Sequence, residues 1–97
     1  DDMIVVRGIN VFPSQIEHIL MKIPEAGDSY QVVITREGTL DEMKVRIGMK
    51  DELFSGELED FRNIQKKIQK ELMRELGLRT YVDLVEKGTL ERFKLKS

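Results

Sequence analysis

Apolar residues recur at every second position in some stretches of this chain and at every third or fourth in others, and each spacing predicts a different element. Met3 to Val6 is a short β-rich run that ends at Arg7-Gly8. Ile9, Asn10, Val11 and Phe12 carry the chain on through what should be a tight turn or hairpin. Pro13 follows, and its fixed φ and missing donor suit the first position of a helix. Ile16, Ile19, Leu20 and Ile23 then stand at i, i+3, i+4 and i+7, one buried helical face. Lys22 favours the C-terminal end of the dipole, and Pro24 stops the helix.

Tyr30 to Thr35 is a β-branched run. Beyond the turn-prone Glu37-Gly38, Met43, Val45, Ile47 and Met49 alternate with Lys44, Arg46, Gly48 and Lys50, the pattern of a half-buried strand. The connecting residues Arg36 to Glu42 predict an antiparallel hairpin with a longer loop. Leu58, Phe61, Ile64, Ile68, Leu72 and Leu76 predict one long amphipathic helix from about Gly56, closed by Gly77 just past its end. Tyr81 to Val85 is a last strand, Lys87-Gly88 a turn, and Glu91 to Ser97 a polar tail. The order strand, helix, strand, strand, helix, strand predicts an α+β sandwich of the βαββαβ kind, a mainly antiparallel sheet with two helices on one face. A chain of 97 residues suffices for one domain, residues 1–97, with a single small core. Such a topology serves many functions, so fold alone assigns none.

Composition narrows the field by exclusion. Hydrophobic content of 40% with 35% charged residues is ordinary for a globular domain, and no apolar run approaches the roughly 20 residues that span a bilayer, so no membrane partner is expected. Met3 to Val6 is too short for the core of a secretory signal and follows acidic residues, which leaves the cytoplasm as the expected location. There is no cysteine for a disulfide or a thiolate nucleophile. The 18 acidic and 16 basic residues are scattered, giving a net charge of -2 and no positive field for a nucleic acid. Lys66, Lys67, Lys70 and Arg74 alternate with Glu71 and Glu75 on the predicted helix and read as a solvated face. His18, the one histidine, sits off the apolar stripe and should face solvent. Without cysteine it cannot build a nitrogen- and sulfur-rich zinc site, so no metal site is expected. The acidic pairs Asp41-Glu42, Asp51-Glu52 and Glu59-Asp60 read as solubilising charges.

Arg7-Gly8 invites two readings. A glycine after a β-run permits positive φ or close backbone approach, with Arg7 and Asn10 supplying donors suited to a phosphate or an amide; a plain hairpin turn accounts for the same residues. The whole segment Asp1 to Glu17, DDMIVVRGINVFPSQIE, resembles the opening of the C-terminal domain of the adenylate-forming ligases, and among them the phenylacetate–coenzyme A ligases. The likeness covers the element order of nearly the whole chain and is most specific over these residues.

The resemblance implies that this is a mobile C-terminal domain whose partner, a large N-terminal adenylation domain, is absent from the 97 residues. It implies a ligase that activates a small aryl carboxylate with ATP and Mg²⁺ to an acyl-adenylate and transfers the acyl group to coenzyme A, the isolated domain being inactive. Asp1, with Asp2 behind it, takes the place of the hinge. Gly8, between Arg7 and Asn10, takes that of the loop that enters the active site for thiolation and lets pantetheine pass. Aligning Leu90 and Arg92 on the family's terminal pattern puts Lys96 on the catalytic lysine that bonds the acyl carboxylate and α-phosphate, although Glu91, Phe93 and Leu95 replace the pattern's proline, small hydroxyl residue and glycine. A charged tail accounts for the same residues. Two other functions fit the element order: a regulatory βαββαβ domain that senses a small ligand, and an interaction module docking through the Leu58 to Leu76 stripe, which reads first as core.

Overall fold

The computed structural model describes residues 2–51 and 56–90, together with the backbone of 94–96. The chain opens with a small hairpin of β1 (Ile4–Val6) and β2 (Ile9–Val11), in which Val6 stands opposite Ile9 and Ile4 opposite Val11. Its turn is Arg7-Gly8, with φ of 51° and 77°. Positive φ at both central residues is the requirement of a type I′ turn, whose twist matches that of the strands it joins. The register directs Val6 and Val11 into the core, where both are fully buried, and leaves Val5 52% exposed on the outer side opposite Asn10.

Helix α1 (Pro13–Met21) starts at the predicted proline. Phe12 offers no capping side chain, and Gln15 compensates by turning back to accept the Phe12 N–H at 2.8 Å. Ile16, Ile19, Leu20 and Ile23 are all buried, as their spacing requires.

Strands β3 (Ala26–Glu37) and β4 (Leu40–Met49) form the antiparallel centre of the sheet. The predicted longer loop over Arg36 to Glu42 is instead the two-residue turn Gly38-Thr39, with Glu37 paired to Leu40. The reason is local: Gly38, at φ 64°, supplies the single positive φ of a type II′ turn, so both strands run on to it. At the other end β3 reaches back beyond Tyr30 through a bulge, since the pairs Ala26–Met49 and Tyr30–Ile47 leave residues 27–29 opposite Gly48. The backbones crowd there. A Cβ on Gly27 would lie 2.7 Å from the Gly48 carbonyl oxygen, and a Cβ on Gly48 would run into the Ser29 hydroxyl.

Helix α2 (Leu58–Leu76) lies over the sheet. Ile68, Leu72 and Leu76 are buried and Phe61 and Ile64 half-buried, so the stripe is core from Phe61 onward, while Leu58 at its start is 64% exposed. Gly77, at φ 70°, ends the helix by donating its N–H to the Met73 carbonyl. Lys66, Lys67, Lys70 and Arg74 are exposed, with Arg74 bonded to Glu71 at 2.6 Å.

The chain then adds β5 (Tyr81–Glu86) and β6 (Lys94–Lys96), giving a four-stranded sheet of order β5-β4-β3-β6. The α+β class stands, but the main sheet is mixed rather than mainly antiparallel, and three details differ from the expectation. Strand β5 runs parallel to β4 because α2 crosses over and returns the chain in the same direction. Residues 94–96, read as part of a polar tail, are a strand parallel to β3. The first hairpin pairs only within itself, so β1 is not a strand of the main sheet. One face of that sheet, with Tyr30, Val32, Met43, Val45, Ile47, Val82 and Leu84, is buried with the helices. The other carries a polar row across three strands, where Arg46 donates to Gln31 at 3.0 Å and to Asp83 at 3.2 Å.

Candidate functional site on the first hairpin

The Arg7-Gly8 turn combines an unfavourable backbone with a long-range bond. A side chain in the left-handed region costs about 1 to 2 kcal/mol, and Arg7 is the non-glycine residue found there among the described residues. Its Nε–H donates at 2.8 Å to the carbonyl of Asp41, 34 residues away. A second guanidinium nitrogen stands 3.8 Å from the Glu42 carboxylate. The side chain therefore lies against the start of β4. Sequence reasoning had passed over Asp41-Glu42 as solubilising charge. The opposite signs at the two hairpin tips were the one available clue.

Gly8 beside it is open. Apart from its chain neighbours, no heavy atom stands within 4 Å of the place a Cβ would take. The glycine is required by its φ, and the space above it is free for another molecule. Asn10 is exposed on the outer side of β2, and Asp2 is exposed just ahead of β1. Asp1 lies outside the described residues.

Lys96 belongs to another part of the fold. Its backbone pairs with Val33 on β6, while its side chain lies outside the described residues, as do Glu91 and Phe93. The candidate residues thus form two groups: Arg7, Gly8 and Asn10 on the hairpin, and Lys96 on an edge strand of the main sheet.

A cleft of about 370 Å³ lies between the end of α1 and the β3 bulge, with Glu17, Tyr30, Asp28 and Lys50 among its walls. The Tyr30 hydroxyl donates to the Pro13 carbonyl at 3.3 Å. Burial, and secondarily the nearby Glu17 carboxylate, push its pKa above the ordinary value of 10.0. His18 is exposed, and among the described residues no three acidic or histidine groups are placed to hold a metal ion. What the first hairpin offers chemically is an open backbone corner with a carboxamide close by.

Comparison with known proteins bears on the family and the fold. The family model described as the AMP-binding enzyme C-terminal domain matches residues 8–97. A phenylacetate-coenzyme A ligase of Pseudomonas putida is 32% identical over 97 residues, 100% of this chain and 22% of the relative. The chain spans about a fifth of the length of such relatives. Among solved structures, a domain of phenylacetate-coenzyme A ligase from Bacteroides vulgatus superposes with a TM-score of 0.89 at 31% identity, covering 99% of this chain and 92% of that one. A 2-hydroxyisobutyryl-CoA ligase, in complex with 2-HIB-AMP and CoA in its thioesterification state, gives a TM-score of 0.90 at 25% identity, with 100% of this chain and 21% of that chain covered. These likenesses displace the ligand-sensing regulatory domain, which shared only an element order. Matched by the family's model over all but its first seven residues, and sharing its fold from end to end with a solved ligase domain, the chain belongs to the family of AMP-binding enzyme C-terminal domains.

Proposed function

We propose that this chain is the mobile C-terminal domain of a cytoplasmic, AMP-forming ligase that joins a small aryl carboxylate, phenylacetate first among them, to coenzyme A. The observation that carries the reading is the match to this family over residues 8–97, which begins at the positive-φ Gly8 of the first hairpin. Support comes from relatives named phenylacetate-coenzyme A ligases and from the neighbour that holds 2-HIB-AMP and CoA.

In this reading ATP, Mg²⁺ and coenzyme A enter the reaction with a larger N-terminal domain, which supplies the nucleotide grip and the carboxylate pocket. The slender pantetheine arm passes over Gly8, where a turn without a Cβ presents only backbone to it. Asn10, exposed beside the turn, is placed to donate to an amide. Lys96 serves the other half-reaction, steadying charge on the acyl carboxylate and α-phosphate. One surface cannot hold a lysine and a thiol channel at the same carbon together. Exchanging faces of one rigid body gives each step its own geometry, with Asp1 and Asp2 absorbing the change in dihedral angles.

The 97-residue chain, given phenylacetate, ATP and coenzyme A, is expected to release no AMP, while the full-length protein makes the thioester. AMP release by the chain alone would overturn the reading. In the full-length protein, Asp1→Pro should slow the two half-reactions unequally, and equal rates would remove the hinge from this position.

A further inference from the structure

The clasp between the first hairpin and β4 has no counterpart in the needs of the turn itself. A type I′ turn takes asparagine or glycine most readily at its first central position, whereas here an arginine is held at φ 51°. Backbone conformations of that kind persist where the surroundings over-determine them. The surroundings here are the Asp41 carbonyl at 2.8 Å and the Glu42 carboxylate at 3.8 Å. An isolated two-stranded hairpin is marginally stable at best, and β1 and β2 pair only with each other. Val6 and Val11 anchor its inner side in the core, with Ile4 and Ile9 packed against it, and the guanidinium adds a tie from the tip to the first residues of a central strand.

We infer that Arg7 is a positioning residue, engaged within the domain rather than with the substrate, and that it presents the Gly8 turn in one orientation while Asn10 is left as the hairpin's outward polar side chain. The kinetic part rests on the ligase reading above; the clasp itself does not. With the tip free to swing, the open corner at Gly8 meets the incoming thiol in many orientations. Misplacement by about 1 Å is enough to cost up to a hundredfold in rate.

Arg7→Met removes the guanidinium but keeps an unbranched side chain at the same positive φ, so the clasp is lost while the backbone cost of the turn is unchanged. In the 97-residue chain, amide hydrogen exchange across residues 4–11 should speed up severalfold while β3 and β4 keep their rates. In the full-length ligase the variant should lower kcat of the thioester-forming half-reaction roughly tenfold, hold KM for coenzyme A within about twofold, and leave the adenylate-forming half-reaction unchanged. Glu42→Lys keeps the turn sequence and sets a like charge beside the guanidinium. It should act in the same direction and more weakly. A raised KM with unchanged kcat would mean that Arg7 touches coenzyme A, and a parallel fall in both half-reactions would mean a merely structural role. Either would overturn the inference, as would unchanged exchange in the hairpin. If the wild-type full-length protein makes no thioester, the ligase reading fails instead and the exchange result still decides the clasp.

Discussion

Two hairpin turns in this molecule solve the same problem with different effort. Gly38-Thr39 joins the long central strands with one positive φ at a glycine, and its flank is open enough that Leu40 is 56% exposed. Arg7-Gly8 joins two three-residue strands with positive φ at both positions, one of them an arginine, and its side chain reaches 34 residues along the chain for a partner. The first kind of turn is sufficient to reverse a strand. The second carries a backbone that persists only where its surroundings hold it in place.

The sharpest way to break the comparison is to load each hairpin with charge. Val6→Asp puts a carboxylate at a fully buried position under the first turn and should cost about 4 kcal/mol or more, enough to lower the denaturation midpoint severely. Leu40→Asp, beside the second turn, should cost less than about 0.5 kcal/mol. Equal losses by chemical denaturation would mean that the first hairpin is not seated in the core as described.

Next in size are the glycines. Gly8→Ala and Gly38→Ala each force a side chain into positive φ and should each lose about 1 to 2 kcal/mol, with Tm falling about 4–8 °C per kcal/mol in a domain of this size. On the ligase reading proposed above, only Gly8→Ala should also slow thioester formation by the full-length protein. A matching kinetic loss at Gly38 would dissolve the functional distinction between the turns.

A smaller effect than that of the glycines belongs to Tyr30, near the start of β3 and buried against α1. Its folded pKa lies above the 10.0 of the unfolded chain, so the unfolded form releases its proton first. Stability from the neutral phenol is therefore complete below pH 10 and is lost as pH rises through the folded value. Tyr30→Phe should cost about 1 kcal/mol at neutral pH for the lost bond to Pro13. It should also flatten the alkaline decline seen by thermal melting. An unchanged decline would assign that titration to another group.

What could be read in advance was local. Pro13 and Gly77 bound their helices by backbone rules that need no knowledge of the rest of the fold, and the stripes at Ile16 to Ile23 and Ile68 to Leu76 are buried as their spacing demands. Gly8 was legible for the same reason, since a φ requirement is written in one residue. Non-local matters were not legible. The partner of Arg7 depends on the packing of a hairpin tip against a strand far along the chain, and the parallel placement of β5 and β6 depends on which edge of β3–β4 stays free after the helices settle. The two-residue turn at Gly38-Thr39 was missed differently. The polar run around it suggested a loop, whereas polar side chains near a sheet's end can stay paired while facing water.

The crowded bulge bears on the order in which this sequence can drift. The obstacle at Gly48 is a side-chain oxygen, so replacing Ser29 with alanine first would clear room for a later methyl group at 48. At Gly27 the obstacle is a main-chain oxygen, which no neighbouring exchange removes. One glycine is thus held only by its present company and the other by the polypeptide itself, and descendants of this domain are free to lose the former in two steps but not the latter.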